Sequence, residues 1–219
     1  MHPMAPRTRR HPTHTVVLLV RHGQTPSTGT VLPGRAPGLH LADAGLAQAE
    51  RAAQRIAELE PRPTAIYASP LERTQETAKP IARALGLRVR TERGLVECDF
   101  GDWTGKKLAL LAKRPEWTQV QRAPSTFRFP KGESFGEMAT RTWDAVVDLA
   151  RRHRGQTIVL VSHADPIKAV LSQAAGAPLD LFQRLVISPC SVSTLVLSDA
   201  GPLVLNVNTT TSLKEIALS

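Results

Sequence analysis

The chain has 219 residues, of which 42% are apolar and 21% charged, and it carries a formal net charge of +9. This length and balance suit a compact domain with a substantial core and exclude a wholly disordered chain. No apolar run approaches the roughly 18 residues of a membrane-crossing helix; the longest, at 16–20, is strand-sized.

Residues 1–14 hold Arg7, Arg9 and Arg10 and no acid. They lack the apolar centre of a secretory signal, and are expected to form a disordered basic tail ahead of one domain over 15–219. The remaining basic residues are scattered rather than striped and accompany no nucleic-acid motif, so nucleic acid is not the expected partner. From Thr15 the pattern becomes regular. The continuous apolar run TVVLLV reads as a strand buried on both faces. The following stretch from Arg21 to Gly38 is rich in Gly, Pro, Ser and Thr, which predicts a long loop, and such a loop in a compact domain is usually functional. The Ala-rich stretch 42–59 is amphipathic at helical spacing.

TAIYAS at 64–69 is the second expected strand. A helix should follow it, with Ser69 as N-cap, Pro70 in the first turn, Glu72 closing a capping box and Gly86 at the end. Pro80 inside predicts a kink or break near Lys79. RVRTE at 88–92 reads as a short third strand, and a short helix is expected around 108–113 in a less regular region. Ser134 and Glu137 predict a capping box opening a long helix to about His153. TIVLVS at 157–162 is another buried strand, followed by a helix to about Ala175; RLVIS, SVSTLVLS and PLVLNVN read as β-structure. Alternating strands and helices make the class α/β with a mostly parallel central sheet. Cys98 and Cys190 are too few for a disulfide framework and lack zinc spacing, so a cytoplasmic protein with reduced thiols is expected.

Ligands of open α/β sheets bind where strands end at the carboxyl edge. Three expected strands end there in polar clusters: Arg21-His22-Gly23-Gln24-Thr25, Ser69-Pro70 with Arg73 one turn on, and Ser162-His163. Two histidines and two arginines suit a phosphoryl dianion, which wants charge-assisted donors in planar, bidentate geometry. A neutral imidazole beside such arginines can attack phosphorus, provided an acid protonates the leaving oxygen.

These residues carry a resemblance. LLVRHGQT is similar to the signature of the histidine phosphatase superfamily, the phosphoglycerate-mutase-like group. LADAGLAQAE, YASPLERTQETA, GLVECDFGDWTGK, FPKGES and VLVSHADPIKAV resemble further motifs of that family, in family order over about 16–170. The resemblance implies a three-layer α-β-α sandwich and a metal-independent phosphatase for small phosphorylated metabolites, with a phosphohistidine intermediate and no cofactor. A phosphomutase using the same residues is the alternative; a silent phospho-ligand binder ranks below both. His22 would be the nucleophile. Arg21, Arg73 and His163 would hold the phosphoryl group, and Glu97 would be the proton donor and then the base. Gln24, Thr25 and Arg35 would line the phosphate pocket. Relatives of this kind also suggest a homodimer as an assembly.

Other readings compete residue by residue. Asp99, Asp102 and Glu133 are alternatives to Glu97, and Arg73 could pair with Glu72 or Glu76 on a helix surface. Trp103, Trp117 and Trp143 are most simply core or pocket wall. Ala164 stands where the family often has glycine after the second histidine, which would be uncomfortable if the backbone there needed a positive φ. Asp165-Pro166 fits an N-cap and first helical residue. The loop PSTGTVLPGR lacks the Trp-Asn of many members, and a sizeable middle insertion of the mutases is absent; both features favour hydrolysis over mutation.

Overall fold

The computed structural model describes residues 14–211 and 213, so of the expected basic tail only His14 is among the described residues. Thr15–Arg21 forms β1. Asp43–Ala57 forms α1, Ala65–Ala68 β2, Glu72–Leu85 α2 and Val89–Thr91 β3. Leu108–Leu111 is α3, Pro115–Arg122 α4, Phe135–Arg152 α5, Thr157–Ser162 β4, Ala164–Ala174 α6, Val192–Ser198 β5 and Gly201–Thr209 β6.

The six strands form one sheet in the order β3-β2-β4-β1-β5-β6. The first four in that order are parallel, while β5 runs antiparallel to β1 and β6 antiparallel to β5. The unbroken apolar run of β1 has its reason in two covered faces. Leu18, Val20, Ile66, Val159 and Val161 pack with Ala53 and Ile56 of α1 and Ala78 and Ile81 of α2. Val17, Leu19, Tyr67, Ile158 and Leu160 pack with Val146 and Leu149 of α5 and Ile167 and Val170 of α6. This is the three-layer sandwich that the sequence resemblance implied.

A third apolar cluster organises the region that periodicity left irregular. All five phenylalanines of the chain, Phe100, Phe127, Phe129, Phe135 and Phe182, join Trp103 there with Cys98, Leu111 and Val120. Their ring centroids lie 4.9–5.4 Å apart in edge and tilted arrangements, the geometry aromatic quadrupoles prefer. Trp117 stacks 6.3 Å from Trp103, and Trp143 packs on the other cluster beneath α5.

Several expected boundaries move. α2 starts at Glu72, with Leu71 in the N-cap position and no side-chain cap, rather than at Ser69-Pro70. Ser69 is still occupied by the sheet, because its N–H donates to the Val161 carbonyl. Glu72 accepts from the Gly38 N–H instead of closing a capping box. α2 also runs unbroken through Pro80, whose neighbours Ala78, Ile81 and Ala82 are buried against the sheet and α1, so packing outweighs the lost backbone bond. The α6 N-cap is His163, not Asp165. Ala164 therefore takes a helical conformation and needs no positive φ. Residues 185–188 are not a strand; they follow a 3-10 segment, Leu179–Arg184, and lead irregularly into β5. α4 was not foreseen. The capping box of Ser134 and Glu137 forms as expected, and Gly86 closes α2 at φ 69°.

The chain after β1 is wedged between helices. The Gly23 N–H donates to Thr77 Oγ1 of α2, and the Gln24 carbonyl accepts from the Ala42 N–H at the start of α1. A Cβ on Gly45 would lie 2.1 Å from the Gln24 carbonyl oxygen, and one on Gly23 2.6 Å from that of Gly45. Backbone faces backbone here, so neither side can yield cheaply. Gly45→Ala is expected to cost about 1–3 kcal/mol by overpacking, readable as a lower Tm, and to lower turnover because the displaced chain carries His22.

Candidate active site

The geometry begins with strand order. β4 lies between β2 and β1, with Ala68 paired to Val161 and Arg21 paired to Ser162. The carboxyl ends of these three strands therefore stand side by side, and each delivers polar residues to the same edge. The His22 N–H continues the ladder to the Ser162 carbonyl at 3.0 Å. The rings of His22 and His163 meet edge-on, 5.2 Å apart.

His22 is buried, and its Nδ1 lies 2.8 Å from the Gly23 carbonyl. A carbonyl only accepts, so Nδ1 carries the proton and Nε2 keeps its lone pair. Burial first, and then the charges of Arg73 and Arg21, push the pKa of His22 from 6.5 down to about 3. The ring is thus neutral at physiological pH. His163 is fully buried, with Nε2 2.8 Å from Ser69 Oγ. The Leu71 N–H approaches Ser69 Oγ at 3.5 Å. That leaves the serine proton for His163 Nε2, and places the imidazole proton on Nδ1. Burial and the Arg73 charge hold the pKa of His163 well below 6.5.

Arg73 is fully buried, and α2 projects it under the loop that follows β1, where one Nη donates to the Gly34 carbonyl at 2.8 Å. It pairs with neither Glu72 nor Glu76. Glu72 takes the Gly38 N–H, and Glu76 takes His40 and the Leu41 N–H. Arg21 donates to the Ile187 carbonyl at 2.5 Å. Burial lowers the pKa of both guanidinium groups, which nonetheless stay charged at neutral pH. At this strand edge, Arg21 Nε, Arg73 Nε, Arg73 Nη1 and His163 Nδ1 are among the described buried nitrogens that have no hydrogen-bond partner. Unpaired buried donors are costly, and one multivalent anion would satisfy several together.

The carboxylates separate cleanly. Glu97 is buried, and burial followed by the negative charge of Asp165 raises its pKa from 4.5 to about 7, against the pull of Arg73 and Arg21. Burial also works against the charge of Glu133, but bonds from Arg141 and Arg35 outweigh it and hold the pKa below the usual value. Asp102 is half exposed and faces Lys131. The exposed side chain of Asp99 accepts from the Gly101 N–H. Only Glu97 combines burial in the cationic cluster with a pKa that retains a proton near neutrality.

The chain that carries these residues matches a known group. The family model of the histidine phosphatase superfamily (branch 1) fits residues 17–210.

The chain belongs to this superfamily.

Phosphoserine phosphatase 1 of Hydrogenobacter thermophilus is 31% identical over 204 residues, covering 91% of this chain and 94% of that protein. A probable phosphoglycerate mutase GpmB of Yersinia pestis is 33% identical over 180 residues, covering 81% and 82%. Among solved structures, a mycobacterial glucosyl-3-phosphoglycerate phosphatase superposes with a TM-score of 0.80 at 25% identity, covering 90% of this chain and 99% of that one. A phosphoserine phosphatase variant of Entamoeba histolytica in complex with phosphoserine gives 0.81 at 25% identity, covering 91% and 99%.

In this histidine phosphatase, Arg21, His22, Arg73, Glu97 and His163 form one electrostatic cluster. Gln24, Thr25 and Arg35 lie in the irregular stretch after β1. Gln24 is exposed, and its backbone N–H donates to Gln48 Oε1. Thr25 is buried among hydroxyls, with Oγ1 3.2 Å from Ser27 Oγ and 3.0 Å from Thr28 Oγ1. Arg35 donates from Nε to the Glu97 carbonyl and sets Nη2 2.7 Å from Glu133. Sequence reasoning missed Ser69 as the partner of His163, having read it as a helix cap. Its position at the carboxyl end of β2 was the available signal. It also missed Arg141, which nothing in helical periodicity distinguishes from a surface arginine.

Proposed function

We propose that the protein hydrolyses small phosphomonoesters through a phosphohistidine at His22. The observation that carries this reading is the set of unpaired buried donors around a buried imidazole, with the buried carboxyl of Glu97, its pKa raised, beside them. Arg21, Arg73 and His163 would bind the equatorial phosphoryl oxygens. The His22 Nε2 lone pair would form the N–P bond as the bond from phosphorus to the ester oxygen breaks, and Glu97 would give its proton to that oxygen. Glu97, now a carboxylate, would take a proton from water; the new P–O bond forms and the N–P pair returns to Nε2. Gln24 and Thr25 would shape the loop beside the phosphate, and Arg35 the backbone of the acid.

A cleft of about 440 Å³ lined by Arg35, Pro70, Arg93, Val96 and Arg141 adjoins this cluster in sequence at Glu97 and Ser69. Arg35 and Arg141 are engaged there with Glu133 and backbone carbonyls, and Arg93 would favour substrates carrying negative charge beyond the phosphoryl group. The names of the relatives, phosphoserine and glucosyl-3-phosphoglycerate phosphatases, describe substrates of that kind. No described helix is long and apolar enough to cross a membrane. Two free buried cysteines support our placing the enzyme in the cytoplasm. Phosphate release from a panel of phosphoesters tests the reading; isomerisation of phosphoglycerates with a bisphosphate primer and little phosphate release would replace it with a mutase, a role that one relative's name supports.

The pKa values fix a pH profile. Rising pH removes the Glu97 proton near about 7, and falling pH protonates His22 near about 3. The active form lies between, so kcat/KM is expected to be bell-shaped with an acidic optimum. A rate still climbing above about pH 9 would contradict the pairing of neutral base and protonated acid.

A further inference from the structure

Residues 96–100, which carry the proposed acid, belong to no helix or strand. Backbone groups in such a segment still need partners, and here charged side chains supply them. Arg141 Nη1 donates to the carbonyls of Gly94 at 2.8 Å and Val96 at 3.0 Å. Arg35 Nε donates to the carbonyl of Glu97 itself at 2.8 Å. Glu133 Oε2 accepts from the Asp99 N–H at 3.1 Å, and the Glu133 N–H donates to the Asp99 carbonyl at 2.9 Å.

The three side chains also hold one another. Arg141 forks onto Glu133 with Nε to Oε1 at 3.1 Å and Nη2 to Oε2 at 3.0 Å, and Arg35 Nη2 reaches Glu133 Oε2 at 2.7 Å. They come from three places: the loop after β1, the turn before α5, and α5 itself. The fit is close, since a Cβ on Gly132 would lie 2.3 Å from the Asp99 carbonyl oxygen.

We propose that Arg141, Glu133 and Arg35 form a charged clamp that fixes the backbone on both sides of Glu97 and thereby sets the position of its carboxyl group. They are positioning residues, acting through Glu97, and the inference rests on the reading of Glu97 as the proton donor. A forked arginine–carboxylate pair defines geometry in a way that a single bond does not. Proton transfer demands that definition, because a displacement of about 1 Å can cost about 100-fold in rate. The clamp also explains why Glu133, rich in partners, is unsuited to be the acid: its charge is consumed in holding the backbone.

The test compares Glu133→Gln and Arg141→Lys with the parent enzyme on an alkyl phosphate and on p-nitrophenyl phosphate, whose leaving group departs without a proton. Glu133→Gln keeps shape and loses charge; Arg141→Lys keeps charge and loses the fork. Both are expected to lower kcat/KM for the alkyl ester about 10- to 100-fold, to change that for the nitrophenyl ester by less than about threefold, and to leave the rise in Tm on adding vanadate intact. Combined with Glu97→Gln, neither should lower the alkyl ester rate further, since both act through the same carboxyl. Equal losses on both esters, no loss on either, or additive losses in the double variants would overturn the clamp. If Glu133→Gln melts below the assay temperature, Arg35→Ala gives the same comparison from the clamp's more exposed end. Absence of a leaving-group effect in Glu97→Gln alone would instead reject the acid on which the clamp is said to act.

Discussion

His22→Ala is expected to lower kcat by at least about 10⁴-fold, with no phosphoprotein trapped on rapid quenching. The argument is one of pathway. Without Nε2, water must attack phosphorus directly, in a pocket arranged for an imidazole on that side. The donors proposed to hold phosphate are untouched: Arg21, Arg73 and His163 take their positions from β1, α2 and the end of β4, and their bonds to Ile187, Gly34 and Ser69 do not involve the His22 ring. Vanadate should therefore still raise the Tm of the variant. Turnover within about tenfold of the parent, or a phosphoryl group found on another side chain, would remove the nucleophile from the mechanism.

Glu97→Gln should show a different pattern. Glutamine keeps the size of the side chain and an oxygen for the Cys98 N–H, which Glu97 Oε1 accepts at 3.0 Å. It has no proton to give to an alkoxide. For alkyl phosphates kcat/KM is expected to fall about 10²- to 10⁴-fold. For p-nitrophenyl phosphate kcat/KM should hardly change, because phosphoryl transfer no longer needs the acid. Its kcat should still drop, since the carboxylate is also missing as a base for water. Phosphohistidine should then accumulate, visible as a burst of nitrophenol. The alkaline limb near pH 7 should vanish as well, as the group responsible for it is gone. Equal losses on both substrates would assign Glu97 a binding role and send the search for the acid elsewhere.

The two experiments separate two kinds of dependence on the fold. His22 follows directly from β1, where ladder bonds specify the backbone to the last residue. Glu97 sits in an irregular segment held by its neighbours: Ser162 Oγ bonds the Leu95 carbonyl at 2.7 Å, the Arg141, Glu133 and Arg35 side chains bond the stretch from 94 to 99, and Cys98 and Phe100 anchor it in the aromatic cluster. Variation in those neighbours should therefore alter proton transfer before it alters phosphate binding.

Much of this was legible in the chain alone, and for a definable reason. Strands buried on both faces must be continuous and apolar, so β1 and β4 announce themselves, and the polar residues at their ends mark the ligand edge. The α5 capping box and the glycine ending α2 are local interactions within a few residues, and they too could be read directly. What the chain could not reveal were partners distant in sequence. Ser69 satisfies the local rules for a helix cap, yet about ninety residues on Val161 of β4 claims its N–H and His163, just past β4, its hydroxyl. Arg35 reads in the chain as an arginine of the pocket loop, and only the packed molecule shows its Nε on the Glu97 carbonyl and an Nη beside Glu133. The choice among four carboxylates likewise depended on burial and on which arginines lay nearby, and both are properties of the packed molecule. Local bonding set the elements and placed the proposed nucleophile; long-range desolvation and charge pairing singled out the proposed acid and the residues around it.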